Sequence, residues 1–217
     1  MSDFATRRRM MVDTQVRPSD VTEFPIIEAM LTVPREAFVP RDRIEAAYVS
    51  EHVPLGGGRV LLDPRVFAKM LDALDISNDD LVLDVGAGLG YSAAVIARIA
   101  EAVVAVEDDD TRASEAQSLL SEHHADNVIL HEGTLDAGAS EHGPYDVIIV
   151  EGGVETLPET LCDQLKEGGR MAVIFMEGAL GTVRVGHKYD GAINWRFAFN
   201  GTAPVLPGFT KDEVFAL

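Results

Sequence analysis

Residues 81–110 read LVLDVGAGLGYSAAVIARIAEAVVAVEDDD, and this stretch decides the fold. Leu81–Val85 is a short aliphatic run that meets a turn carrying Gly86, Gly88 and Gly90. An Ala- and Ile-rich helical stretch follows from about Tyr91 to Ala100, and a second aliphatic run, Ala102–Val106, ends at Glu107. Two aliphatic strands joined through a helix form a βαβ unit, whose crossover imposes parallel pairing.

The alternation continues downstream. Thr111–His123 reads as a helix, Val128–His131 as a third strand, and Val147–Val150 as a fourth whose wholly aliphatic character implies burial on both faces. Pro158–Lys166 reads as a helix stopped by Gly168 and Gly169, with Met171–Phe175 as the fifth strand. Thr182–Lys188 and Asn194–Phe199 flank Tyr189-Asp190-Gly191, a hairpin signal. The expected fold is α/β, a doubly wound seven-stranded sheet with an antiparallel pair closing one side.

Upstream, Ile26, Ile27, Met30, Leu31 and Val33 recur at helical spacing between Met10 and Pro40. Gly56, Gly57 and Gly58 mark a loop, and Pro64 opens a helix carrying Val66, Phe67, Met70, Leu71 and Leu74. A helical segment covering the cleft is expected over 1–60 and the main α/β domain over 61–217, the two making one compact unit.

Composition narrows the class. The 217 residues hold 18 Lys+Arg against 36 Asp+Glu, a net charge of −18. Such a surface repels phosphate backbones and anionic membranes, and the Arg7-Arg8-Arg9 run is too short to make a nucleic-acid face. Neither a nucleic acid nor a membrane is expected as partner, and the oligomeric state is not legible. A single cysteine, Cys162, excludes an intrachain disulfide and a multi-cysteine zinc site. His123, His124 and His131 lack ligand spacing, so no metal is expected. With no apolar run long enough to span a bilayer and no signal-peptide core, the expected compartment is the cytoplasm.

The glycine turn carries the chemistry. A dinucleotide fingerprint is G-x-G-x-x-G, whereas this one is G-x-G-x-G with Asp84 two positions before the first glycine. A carboxylate there repels a pyrophosphate and suits a ligand with an ammonium or sulfonium, as S-adenosylmethionine carries. Glu107, ending the next strand, stands where a carboxylate accepts hydrogen bonds from both ribose hydroxyls. Two plainer readings stay open: a tight strand–helix turn with solvated acids, and a nicotinamide dinucleotide site. Gly86, Ala87, Gly88, Gly90, Tyr91 and Asp108 complete the cofactor residues expected around this turn.

With RMMVDTQVRP (9–18), VPREAFVP (33–40), LDVGAGLGYSAAVIA, YDVIIV and QLKEGGRMAVIF, the chain resembles the protein-L-isoaspartate O-methyltransferases from about Arg9 onward. The resemblance implies the class I S-adenosylmethionine-dependent methyltransferase fold, Rossmann-like. It also implies methyl transfer from that cofactor to the carboxylate of isoaspartyl residues in damaged proteins, without a metal. At the family's positions, Thr134, Leu135 and Glu151 would join the cofactor site. In the family a G-Q-T-I-S-Q-P segment places its Ser at the acceptor carboxylate. Here the match is Gly58, Arg59, Val60, Leu61, Leu62, Asp63 and Pro64, with Leu62 in place of the hydroxyl. The family's Gly-Asp-Gly becomes Gly133-Thr134-Leu135, and its Thr-Ala-Ala becomes Glu151-Gly152-Gly153. A methyltransferase for another protein or small-molecule acceptor, or a non-catalytic cofactor-binding homologue, are the alternatives these changes leave.

An ionised carboxylate needs no general base to accept a methyl group. Asp63 and Arg59 are the candidates for direct participation. Asp63 would serve as base for an acceptor that must lose a proton, or else caps the helix beginning at Pro64. Arg59, with Arg65, would fork onto an acceptor carboxylate or else be a solvated loop arginine.

Overall fold

A computed structural model describes residues 3–211. Helix α1 (Phe4–Met11) starts at Asp3, whose carboxylate accepts from the Thr6 N–H, and runs into a wider helical turn over Val12–Val16. Helix α2 (Phe24–Thr32) buries Ile26, Ile27, Ala29 and Met30. A two-stranded antiparallel hairpin follows, β1 (Val53–Gly56) with β2 (Arg59–Leu61), so the glycine loop is its turn. The boundary expected near residue 60 therefore runs through a strand. Pro64 and Asp63 start α3 (Pro64–Leu74): the Asp63 side chain accepts from the Val66 N–H at 2.9 Å, the cap reading of this residue. Val66, Phe67, Met70, Leu71 and Leu74 form the buried stripe of α3.

Next come β3 (Leu81–Val85), α4 (Tyr91–Ile96), β4 (Ala102–Glu107), α5 (Asp110–Glu122), β5 (Val128–Glu132), β6 (Tyr145–Val154), α6 (Glu159–Asp163), β7 (Leu165–Glu177), β8 (Leu180–Tyr189) and β9 (Ala192–Asn200). The seven-stranded sheet has the order β5-β4-β3-β6-β7-β8-β9, parallel from β5 to β7 and antiparallel through β8 and β9. Asp190 and Gly191 make the β8–β9 turn in the left-handed region. The chain moves outward in opposite directions from β3 and β6, so the crevice beyond their carboxyl ends is the topological switch point where α/β sheets bind ligands.

The helix read over 158–166 is only one turn. Lys188 Nζ donates to the Cys162 and Leu165 carbonyls, and the Gln164 side chain bonds the Ala137 carbonyl and the Ala139 N–H. These contacts take the helix-end groups, and β7 begins at Leu165, before the glycine pair read as a stop. One core joins the N-terminal helices to the sheet: Met30, Phe38, Phe67, Val82, Ile149 and Ile174 belong to it. No helix among the described residues is long and apolar enough to cross a membrane.

Candidate cofactor site

The glycine turn sits where β3 gives way to α4. The N–H groups of Gly86 and Ala87 donate to the Val106 carbonyl at 3.0 and 3.2 Å, clamping the turn onto β4. Gly86 and Gly88 have φ of +87° and +60°, a region costly for residues with a Cβ. Their bare Cα atoms also leave room: a Cβ on Gly86 would meet an Arg59 guanidinium nitrogen at 2.9 Å, and one on Gly88 would meet the Leu55 methyl at 2.6 Å.

Three buried acids surround this turn. Asp84 accepts from the Ser92 hydroxyl at 2.6 Å through one oxygen, while its other oxygen is buried with no partner. Glu151, on β6 beside the switch point, likewise has one buried oxygen without a partner. Burial, opposed by the Ser92 hydroxyl and added to by the Glu107 charge, pushes Asp84 up to about 7. Burial also pushes Glu151 well above the ordinary carboxylate value, with Asp84 adding to the effect and Arg35 and Arg59 opposing it. Asp84 and Glu151 are thus two buried carboxyl groups that feel each other's charge, each with an oxygen left without a donor.

Glu107 differs from both because its oxygens are taken. The Gly88 N–H donates to one at 2.9 Å, and Arg112 donates to the other through Nε at 2.9 Å. The Arg59 guanidinium reaches both at 3.2 and 3.3 Å and donates to Asp108 at 2.6 Å. Arg59 is only 3% exposed, so it is neither a solvated loop arginine nor free to hold an acceptor. Above Gly86 and Gly152 lies Leu206, from a tail segment anchored by the Gly153 N–H donating to the Pro204 carbonyl at 2.8 Å.

The remaining expected residues are placed as follows. Tyr91 packs away from the acids, in contact with Phe38, Phe67 and the Arg35 guanidinium, with its hydroxyl unpaired. Leu135 belongs to the same buried cluster as Val106, and Thr134 is exposed. Leu62 is also core, 1% exposed, and its carbonyl accepts from Arg35 at 2.6 Å. Asp63 and Arg65 edge an open groove of about 500 Å³ that reaches Gly181, Thr182 and Asn200. Around Arg35 the sequence carries only Pro34, Phe38 and Pro40 as local hints of its burial. His131 groups with Glu141 and His142 rather than with His123 or His124: the Glu141 carboxylate lies 3.4 Å from a His131 ring nitrogen and 3.3 Å from one of His142.

The sequence profile of the Protein-L-isoaspartate(D-aspartate) O-methyltransferase family matches residues 7–195. The chain belongs to this family. It is 40% identical to the protein-L-isoaspartate O-methyltransferase of Pelotomaculum thermopropionicum, covering 77% of this chain and 73% of that one. It is 38% identical to protein-L-isoaspartate O-methyltransferase 2 of Pelobacter propionicus, covering 77% and 74%. A solved protein-L-isoaspartate O-methyltransferase superposes with TM-score 0.82 at 26% identity, covering 93% of this chain and 66% of that one. A Plasmodium falciparum structure in complex with S-adenosyl-L-homocysteine has TM-score 0.79 at 18% identity and shares the fold, covering 95% of this chain and 99% of that one.

The residues present fit the family's cofactor, S-adenosylmethionine. The unpaired oxygens of Asp84 and Glu151 suit its cationic end, and Glu107 at the end of β4 suits its ribose diol.

Proposed function

We propose that this protein transfers a methyl group from S-adenosylmethionine to the carboxylate of isoaspartyl residues in proteins, a repair activity exercised in the cytoplasm. The observation that carries the reading is the glycine turn flanked by Asp84 and Glu107 at the switch point, in a chain of this family. When bound, S-adenosylmethionine supplies a methyl on a sulfonium: the acceptor oxygen forms the O–CH3 bond as the S–CH3 electron pair returns to sulfur.

The protein's part is placement. Asp84 and Glu151 favour a positive charge in a dry crevice, and Gly86 and Gly88 let the backbone come close to the ligand. The β1–β2 hairpin and Leu206 keep water from the turn. No side chain need remove a proton, since the acceptor is already ionised at neutral pH. On this reading the helical segment over 1–60 and the domain over 61–217 act as one unit, the hairpin at their junction being the roof.

The test is transfer of a labelled methyl group to an isoaspartyl peptide beside its matched aspartyl peptide. Base-labile label on the isoaspartyl peptide alone is the expected result. Cofactor binding without transfer, or equal transfer to both peptides, overturns the reading.

A further inference from the structure

We propose that Arg59 competes with the cofactor for the ribose-binding carboxylate of Glu107, on which its guanidinium lies, and sets the affinity by how readily it lets go. The inference rests on the reading of this crevice as an S-adenosylmethionine site.

Three features of Arg59 point this way. It comes from the turn end of the hairpin rather than from the Rossmann-type unit, so it enters the crevice from the roof. Its guanidinium lies within 2.9 Å of where a Gly86 Cβ would be, in space that the glycine otherwise leaves for a ligand. Its bonding is uneven. The contact to Asp108 is short, 2.6 Å, the two to Glu107 are long, 3.2 and 3.3 Å, and Nε is buried with no partner. A desolvated arginine with a donor left unpartnered is held at a cost. This one spans two acids and is secured firmly by one.

The geometry gives the exchange its route. Asp108 is partly open to solvent and can keep its grip while the guanidinium swings off Glu107. Glu107 then retains Arg112 on one oxygen, through Nε at 2.9 Å and Nη2 at 2.8 Å, and the Gly88 N–H on the other, which has a lone pair free for a ribose hydroxyl. The carboxylate is never left without donors in either state, which keeps the cost of exchange low. The apparent affinity falls by the fraction of molecules in which Arg59 has moved aside.

The test is calorimetric binding of S-adenosyl-L-homocysteine and of neutral adenosine to the wild type and to Arg59→Gln. Both ligands are expected to bind the variant roughly tenfold tighter, because the competitor is gone. Adenosine guards against a purely electrostatic gain: tightening of the charged ligand alone overturns the proposal. Equal or weaker binding of both to the variant also overturns it and leaves the methyltransferase reading standing. Binding by neither protein, with native near-ultraviolet dichroism in both, overturns the cofactor reading and this inference together. A measurement on the wild type avoids any folding defect of the variant. The Arg59 Nε–H resonance, assigned by its loss in Arg59→Gln, should shift on saturation with S-adenosyl-L-homocysteine. A resonance that stays in place while the ligand binds overturns the exchange.

Discussion

The two sides of the crevice are built from segments that lie against each other but follow different logics. On the sheet side, Asp84, the glycine turn and Glu107 hang from the ends of β3 and β4, and their positions follow from strand register: Asp84 pairs with Ala105, and Val85 with Val106. On the roof side, the segment Gly58–Pro64 is held by long-range side-chain contacts, Arg35 donating to its Leu62 carbonyl and its own Arg59 reaching Glu107. A sheet-borne site tolerates little change because each residue is also part of the ladder. A loop-borne one can exchange a small polar side chain for leucine or arginine and still close over the same crevice. Arg59, carried by the roof, acts on the sheet side.

Arg35 is where the roof is most dependent on one residue. Fully buried, it donates through Nε to the Ala47 carbonyl at 2.7 Å, through an Nη to the Leu62 carbonyl at 2.6 Å, and lies over the Tyr91 ring at 4.9 Å. Arg35→Ala leaves two buried carbonyls unpaired and a cavity, and should cost about 3 to 5 kcal/mol in urea unfolding. If the loss is below about 1 kcal/mol, the roof is held by packing rather than by this guanidinium.

Leu62→Ser sharpens the same comparison from the acceptor end. Because residue 62 points into the core, the serine hydroxyl would be buried rather than offered to an acceptor. Unfolding should be easier by about 3 kcal/mol, with no gain in methyl transfer to an isoaspartyl peptide. A rise in transfer would show that the segment 58–64 can turn residue 62 outward.

The same contrast explains what could be read in advance. The alternation of aliphatic runs with helical stretches locates every parallel strand, because periodicity and the glycine turn are local signals. Asp84 and Glu107 are legible for the same reason, each ending a strand beside a recognisable turn. Strand lengths are less so: β6 continues through Gly152 and Gly153 because the Gly153 N–H and carbonyl bond Pro204 and Leu206, partners far along the chain. Arg59 is the clearest case. Glycines and a proline around it read as a solvated loop, and the acids that draw it inward lie 48 and 49 residues away. Lys188, which ends α6 early, is another long-range partner without a local mark.

The smallest expected effect separates a ligand-ready acid from a structural one. Asp84 has its carboxyl pushed up to about 7, chiefly by burial, against about 4 in an unfolded chain. The folded state therefore binds the extra proton between these values, so the contribution of Asp84 to stability falls as the pH rises from about 4 to about 7 and is level above. Asp84→Asn keeps an acceptor for the Ser92 hydroxyl and does not titrate. Its melting temperature relative to the wild type should thus climb between pH 5 and pH 7, by several degrees on the scale of about 2 to 3 kcal/mol, and level off above. Saturating S-adenosylmethionine should reverse part of this gap at pH 8, since its cation meets an ionised Asp84 only in the wild type. A gap that is flat with pH means that the unpaired oxygen is already satisfied within the protein, and that the crevice is not poised for a positive charge.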